Sequence, residues 1–348
     1  MQTTLKEVAL RAKLSEMTVS RALRGTGYVS EAARSRALEA ARALGYVPNR
    51  IAGSLASQRT NLVGIVVPSI TNNVYAQVLS GIAKGLEGSG LQPVFAITGY
   101  EPRLEEALIR DMLSWRPSGL AIAGLRHTAA ARRMLAGCAI PVVEMMDVDG
   151  RPVSFGVGIS PREAGRAMAR HLVERGYRAI AYVAHDHRLD VAARKRHDGF
   201  VAELRALGLE PAGVHVDAAP STQALGRRMT AALLDATKPA NAHATCPLEA
   251  IAYSNDDMAV GGLMACLAHG LRVPEDIALC GYSGTSLELE LPMRLTTVRS
   301  PRFEVGERSA RYLLERIAAR TADGSSGCRK PRPSREVLPA CLVRGETT

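Results

Sequence analysis

His185 and His187, spaced H-x-H, and the run Asn255-Asp256-Asp257 are the side chains whose type and spacing could engage a metal or a hydroxylated ligand. The histidine pair has no third ligand at metal-site spacing, so it reads as loop histidine. The Asn-Asp-Asp acids either clasp ligand hydroxyls or cap the helix that follows. No Ser/His/Asp set or carboxylate pair sits at a nucleophile elbow. No GxGxxG follows the first strand and no GxxxxGK[ST] occurs; Gly156-Val157-Gly158 is a fragment inside a strand. The six cysteines (138, 246, 266, 280, 328 and 341) are scattered singly, as reduced core thiols are. The expectation is a binding protein with no enzymatic activity, cofactor or metal.

The elements that would position binding chemistry begin at the N-terminus. Residues 1–59 carry ten Lys/Arg against four Glu, which is +6 of the chain's +10 and leaves +4 for the other 289 residues. A basic surface concentrated in one sixth of 348 residues is the footprint of a polyanion partner. Thr4 and Glu7 form a capping box, and Leu5, Val8, Ala9 and Ala12 fall on one helical face. Ser15 caps a second helix whose buried side is Val19, Ala22 and Leu23. Only Lys13-Leu14 separates the two, so they must cross steeply, which is helix-turn-helix geometry with 16–23 as the recognition helix. A third helix runs from the Ser30 cap to Leu44, where Gly45 supplies a left-handed stop.

The runs TLKEVALRAKLSEMTVSRAL and YVSEAARSRALEAARALGYVPNRIAGSLAS resemble the LacI family of repressors from the first helix onward. That likeness implies that Glu16, Met17 and Arg21 face base edges in the major groove. It assigns Thr18, Ser20, Ser30 and Asn49 to phosphates or register, with Thr4, Arg50 and Ala52 among the further DNA contacts. Arg21 is then suited to guanine, at roughly 1–3 kcal/mol of discrimination, and Met17 to a thymine methyl. It also implies that the linker becomes a hinge helix in the minor groove, with Leu55 as the apolar wedge. Nine residues containing Gly53-Ser54 cannot hold a helix alone in water, so this one should fold only on DNA. Lys13 departs from the family, which favours Gly at a turn position of positive φ; a lysine there costs on the order of 1 kcal/mol.

From Leu62, short apolar runs alternate with helical periods. LVGIVVP, PVFAIT, GLAIAG and PVVEMM (62–146) form one series of buried strands. FGVGIS, AIAYVA, GVHVD, AIAYSND and IALCGYS (155–283) form a second. Two such series give two doubly wound lobes, with ligands expected at the carboxyl ends of the strands. The body is similar to the family's periplasmic-binding-protein-like effector domain from LVGIVVPSITNNVYAQVLSGI to LPACLVRGET. Within the family, MLSWRPSGLAIAG, IPVVEMMD and VGISPREAG resemble the gluconate-utilisation repressor group.

On that fold the cleft would be lined from the first lobe by Ser69, Ile70, Asn72, Tyr75, Tyr100, Arg126 and His127. The second lobe would add Ser160, Arg196, Asn255, Asp256 and Ser283, with Arg302 near a crossover. Arg196 matches a family position holding a basic sugar contact, although a surface Arg paired with Asp198 or Glu203 is the competing reading. Neutral-sugar binders of the family often carry Asp where Ser160 and Ser283 stand, so the balance with Arg126 and Arg196 favours an anionic ligand.

The expected fold is an all-α helix-turn-helix DNA-binding domain (1–46), a hinge (47–59) and an α/β body of two doubly wound parallel-sheet lobes (60–348). The first lobe would take about 60–159 and 290–320, the second about 160–289 and the C-terminal segment. The expected function is a transcriptional regulator, most simply a repressor. It would bind double-stranded, near-palindromic operator DNA as a homodimer and be released by a sugar acid such as gluconate. Another sugar, or a corepressor, fits the same residues, and a sugar-binding transport protein shares the body alone. The N-terminal twelve residues have no apolar leader and no run approaches the ~20 needed to span a bilayer, so the reading is cytoplasmic, without membrane.

Overall fold

The computed structural model describes residues 3–25, 27–47, 60–70, 73–188, 190–237, 248–285, 290–322 and 332–348. Asn49, Arg50, Ala52 and Leu55 of the expected hinge lie outside the described residues, as does Asn72. The chain divides into two compact units, Met1–Thr60 and Asn61–Thr348.

In the first unit, α1 (Leu5–Ala12), α2 (Glu16–Arg24) and α3 (Glu31–Ala43) enclose a small core of Val8, Ala9, Ala12, Val19, Ala22, Ala37, Ala40 and Ala41. With so little apolar volume, the helix ends matter. The Glu7 amide donates to Thr4 Oγ1 at 3.3 Å while the Thr4 amide donates to Glu7 Oε2 at 2.7 Å. Ser15 and Ser30 accept from the Thr18 and Ala33 amides. Lys13 ends α1 in the left-handed region, at φ 53° and ψ 50°, so the turn does carry a lysine where glycine is the unstrained residue.

The second unit holds two six-stranded sheets. The first contains β1 (Leu62–Val67), β2 (Gln92–Ile97), β3 (Gly119–Ala123), β4 (Val142–Asp147), β5 (Phe155–Ile159) and β11 (Ser334–Val337), in the order β11-β5-β4-β3-β1-β2 and parallel throughout. The second contains β6 (Ile180–Ala184), β7 (Gly213–Val216), β8 (Ala250–Tyr253), β9 (Ala278–Ser283), β10 (Thr296–Arg299) and β12 (Cys341–Val343), in the order β12-β10-β9-β8-β6-β7. Among the described strands only β12 runs antiparallel to its neighbour, β10. Helices α4 (Asn73–Leu86), α5 (Pro102–Ser114), α6 (Ala129–Gly137) and α11 (Arg302–Ala322) serve the first lobe; α7 (Pro161–Glu174), α8 (Val191–Ala206), α9 (Gln223–Ala236) and α10 (Asp256–Ala268) serve the second.

Two spans differ from the sequence reading. The run 155–160, grouped by its apolar pattern with the second series but by the expected bounds with the first lobe, supplies β5 of the first sheet, where Val157 is fully buried. The span 290–320 does not belong to the first lobe as a whole, because Val298 of β10 packs in the second core and the chain crosses only after Arg299. The tail also divides: β11 returns to the first sheet before β12 closes the second. Apolar runs reveal strands; sheet membership is decided by non-local pairing. Among the described residues the chain thus crosses between the lobes after β5, β10 and β11.

Helix pairs within each lobe meet backbone to backbone. A Cβ added at Gly165 would lie 2.0 Å from the Arg196 carbonyl, and one at Gly199 would lie 2.1 Å from the Arg162 carbonyl. The same reciprocal seating joins α4 to α11 through Gly81 and Gly306, and α9 to α10 through Gly226 and Gly261. No described helix is long and apolar enough to cross a membrane.

Candidate functional site

On the first unit, Glu16, Met17 and Arg21 of α2 are exposed, Met17 at 64%. Met17 is one of several exposed apolar side chains of this unit, beside Leu10 at 70% and Val47 at 78%. Thr18 and Ser20 are half-buried beside them. Thr18 Oγ1 bonds Ser15 Oγ at 2.8 Å, and Arg24 donates to Ser20 Oγ at 2.6 Å. The oxygens of Thr4 and Ser30 cap their helices while remaining at the surface. Tyr28, 94% exposed, stands in the loop before α3 and was not singled out in the sequence; its spacing belongs to no periodic face.

In the second unit an open cavity lies at the carboxyl ends of β1, β2, β3 and β4, the place where ligands bind in open α/β sheets. Its wall includes Tyr75, Thr98, Tyr100, Glu101, Glu105, Arg126, Met146 and Asp147 from the first lobe, and Asp190, Val191 and Ala192 from the second. Burial, with Tyr100 hydrogen-bonded beside it, pushes the Tyr75 hydroxyl well above its usual pKa. Tyr100 and Met146 both adopt positive φ, 64° and 77°. Such strain costs about 1–3 kcal/mol and persists only where surroundings impose it. Gly158 makes Met146 possible: a Cβ there would sit 2.5 Å from the Met146 carbonyl carbon. The glycine fragment of β5 is therefore a packing device.

Each buried carboxylate of the wall has a nitrogen partner. Glu105 Oε1 bonds His127 Nδ1 at 2.7 Å, and the opposite ring nitrogen meets Glu144 Oε1 at 3.2 Å. Burial alone would lower the His127 imidazole, but hydrogen bonds and charge from Glu105 and Glu144 outweigh it and raise it to about 9. Asp190 caps α8 through the Ala193 amide and takes a hydrogen bond from His185 Nε2 at 3.2 Å. Burial acts to raise the Asp190 carboxyl. The His185 bond and charge, Arg196 and the Ala193 amide hold it well below the usual carboxylate range. Asp147 is paired with Lys195 of α8.

Of the residues expected at the cleft, Tyr75, Tyr100 and Arg126 line this cavity, and Arg126 also donates across the lobes to the Arg188 carbonyl at 3.0 Å. Ser69 and Ile70 lie in the loop after β1, Ile70 at 46% exposure. The remaining candidates are not among the described wall residues, and their polar groups have partners elsewhere. His127 is enclosed between two carboxylates. Ser160 caps α7 and Asn255 caps α10. Buried Asp256 accepts from Thr297 Oγ1 at 2.6 Å, and Ser283, at φ 114°, bonds Thr285. Arg302 is buried against Gln77. Arg196 is neither a surface Arg nor a wall residue: it is buried, donates to the Ser254 carbonyl and lies over the Tyr282 ring. The argument for an anionic ligand from Ser160 and Ser283 therefore passes to Arg126, the one cation among the described wall residues.

Asp147, Asp190, Glu101 and Glu105 were missed in the sequence. Asp190 offered a cap signal ahead of a helical period, and Asp147 a charge ending an apolar strand, but neither spacing points to a ligand. His185, read as a loop residue, is buried and bonds Ser254 Oγ at 2.9 Å. Among the described residues no group of three or more His, Cys, Asp or Glu could hold a metal ion.

Residues 4–49 match the bacterial regulatory proteins of the lacI family, and residues 169–348 match the periplasmic binding protein-like domain. The HTH-type transcriptional regulator GntR of Pseudomonas aeruginosa is 37% identical over 325 residues, covering 93% of this chain and 92% of the relative. The crystal structure of a LacI-family transcriptional regulator from Silicibacter pomeroyi has a TM-score of 0.88 at 44% identity, covering 99% of each chain. The lac repressor dimer bound to operator has a TM-score of 0.81 at 25% identity, covering 100% of this chain and 99% of the other.

Proposed function

The chain belongs to the LacI family of bacterial regulatory proteins, and on that premise we propose that it is a cytoplasmic, sugar-acid-responsive repressor. As a DNA-binding transcriptional regulator it works as a dimer on operator DNA, with a small-molecule effector. Two copies of α2 lie one helical turn apart in successive major grooves of a near-palindromic site. Arg21 meets guanine, and Glu16 and Met17 read the neighbouring pairs.

The effector reading is carried by one observation. Among the described residues, the cavity wall combines hydroxyl-accepting carboxylates and tyrosines with one cation, Arg126. A hydroxylated acid such as gluconate supplies both partners, hydroxyls for the acceptors and a carboxylate for the guanidinium. Effector binding closes the lobes and weakens operator binding through a coupling of about 1–3 kcal/mol, which must act reciprocally. The test is operator binding by fluorescence anisotropy with and without gluconate, paired with calorimetric gluconate titration with and without operator. Reduced affinity in both directions supports the proposal. Equal affinities in all four arms refute it.

A further inference from the structure

Lys195 reaches out of its own lobe. From α8 its ammonium pairs with Asp147 at the end of β4 and donates to the Asp149 carbonyl at 2.9 Å. The side chains are only 14% and 5% exposed, so their charges act with little screening by water. Asp147 lines the cavity; Lys195 does not. Buried Glu105 and half-buried Asp190 of the wall are likewise held by His127 and His185, which stand outside it. Glu101 is exposed at the rim and solvated.

The chemical consequence is specific. Asp147 Oδ1 accepts the Asp149 amide at 2.8 Å and Oδ2 accepts Lys195. Each carboxylate oxygen has two lone pairs, so Asp147 keeps acceptor capacity for a ligand hydroxyl. Its charge is meanwhile cancelled from behind. Without that cancellation a ligand carboxylate would enter a wall already bearing an unpaired negative group, and like charges in a half-buried site disfavour one another strongly.

We propose that Lys195 is a specificity-determining residue of the effector site: by neutralising Asp147 across the lobe boundary, it lets a wall of carboxylates accept a polyhydroxylated ligand that is itself an anion. The inference rests on the sugar-acid reading of the same cavity. Lys195 sets preference between acid and neutral ligand, while Asp147 supplies hydroxyl recognition to both.

The experiment is calorimetric titration of the full-length protein with gluconate and with sorbitol, a neutral six-carbon polyol. The quantity read is the ratio of the two dissociation constants. The wild type prefers gluconate. Lys195→Met lowers that preference about tenfold or more, Lys195→Arg keeps it, and the neutral pair Lys195→Met/Asp147→Asn restores it. A purely structural Lys195 would weaken both ligands together and leave the ratio alone. Should Lys195→Met fail to fold by thermal melting, Asp147→Asn carries the test: its unpaired ammonium raises the gluconate preference above wild type, and an unchanged ratio overturns the proposal. Wild-type protein that binds neither probe overturns the sugar-acid reading and this inference with it. Gluconate binding with an unchanged ratio in Lys195→Met overturns the role of Lys195 alone.

Discussion

The guanidinium carbon of Arg196 lies 3.7 Å from the centre of the Tyr282 ring. A buried cation over an aromatic face is held by the ring quadrupole as well as by its hydrogen bonds, and the planar guanidinium suits that position better than an ammonium. Arg196 also donates to the Ser254 carbonyl at 2.5 Å, and Ser254 Oγ bonds His185, which holds Asp190 in the cavity wall. Arg196→Ala is therefore expected to weaken gluconate binding at least about tenfold through the placement of Asp190. It should also cost roughly 2–3 kcal/mol of stability. Arg196→Lys should rescue neither fully. Calorimetry and thermal melting measure the two effects, and full affinity in Arg196→Ala would detach this chain of bonds from the ligand.

His127 gives a pH dependence with a definite sign. Its folded-state pKa, about 9, lies above the ordinary histidine value of 6.5. The stabilisation it provides is therefore complete below about pH 6.5 and is lost as pH rises through about 9. Thermal midpoints of the wild type should fall across that window. In His127→Gln the two buried carboxylates lose their counter-charge, at a cost of about 3–5 kcal/mol, and the fall in that window should disappear. A wild-type midpoint that stays flat from pH 6.5 to 9 would contradict an imidazolium there.

Gly199→Ala tests the contact of α7 with α8. The added methyl would meet the Arg162 carbonyl at 2.1 Å, so the helices must separate, at a cost of roughly 1–3 kcal/mol. Because α8 carries both Lys195 and Arg196, gluconate affinity should fall along with stability. Loss of stability with ligand binding intact would show that the helix can move without moving the site.

Lys13→Gly acts in the opposite direction. At φ 53° glycine has no Cβ penalty, so the variant should gain about 1 kcal/mol in the first unit. Slower exchange of the α1 and α2 amides would report it. If lysine stands there for a phosphate contact, operator affinity should fall and its salt slope should shrink by about one ion.

The first unit was legible because its determinants are local. Thr4 with Glu7, Ser15 with Thr18 and Ser30 with Ala33 are each three residues apart, within reach of pattern reading. The alternation of strands and helices in the second unit was equally plain. The candidate cavity was not, because its logic joins distant residues. Glu105 and His127 stand 22 apart, Asp147 and Lys195 stand 48 apart, and neither pair leaves a spacing signature. Ser160 and Asn255 show the complementary ambiguity: polar residues at strand ends serve ligands and helix N-termini alike, and both of these cap helices. Arg196 was placed on the correct helix, but whether its face looked to water or inward was set by Gly165 and Gly199, which draw α7 and α8 together.

Reciprocal glycine seating also governs how each lobe can respond to an occupant. Where two backbones already touch, as at Gly81 with Gly306, Gly165 with Gly199 and Gly226 with Gly261, there is no cushion of side chains to compress. Close-packed contacts of this kind transmit strain rather than absorb it, so a push at the cavity reaches the described segments that join the halves.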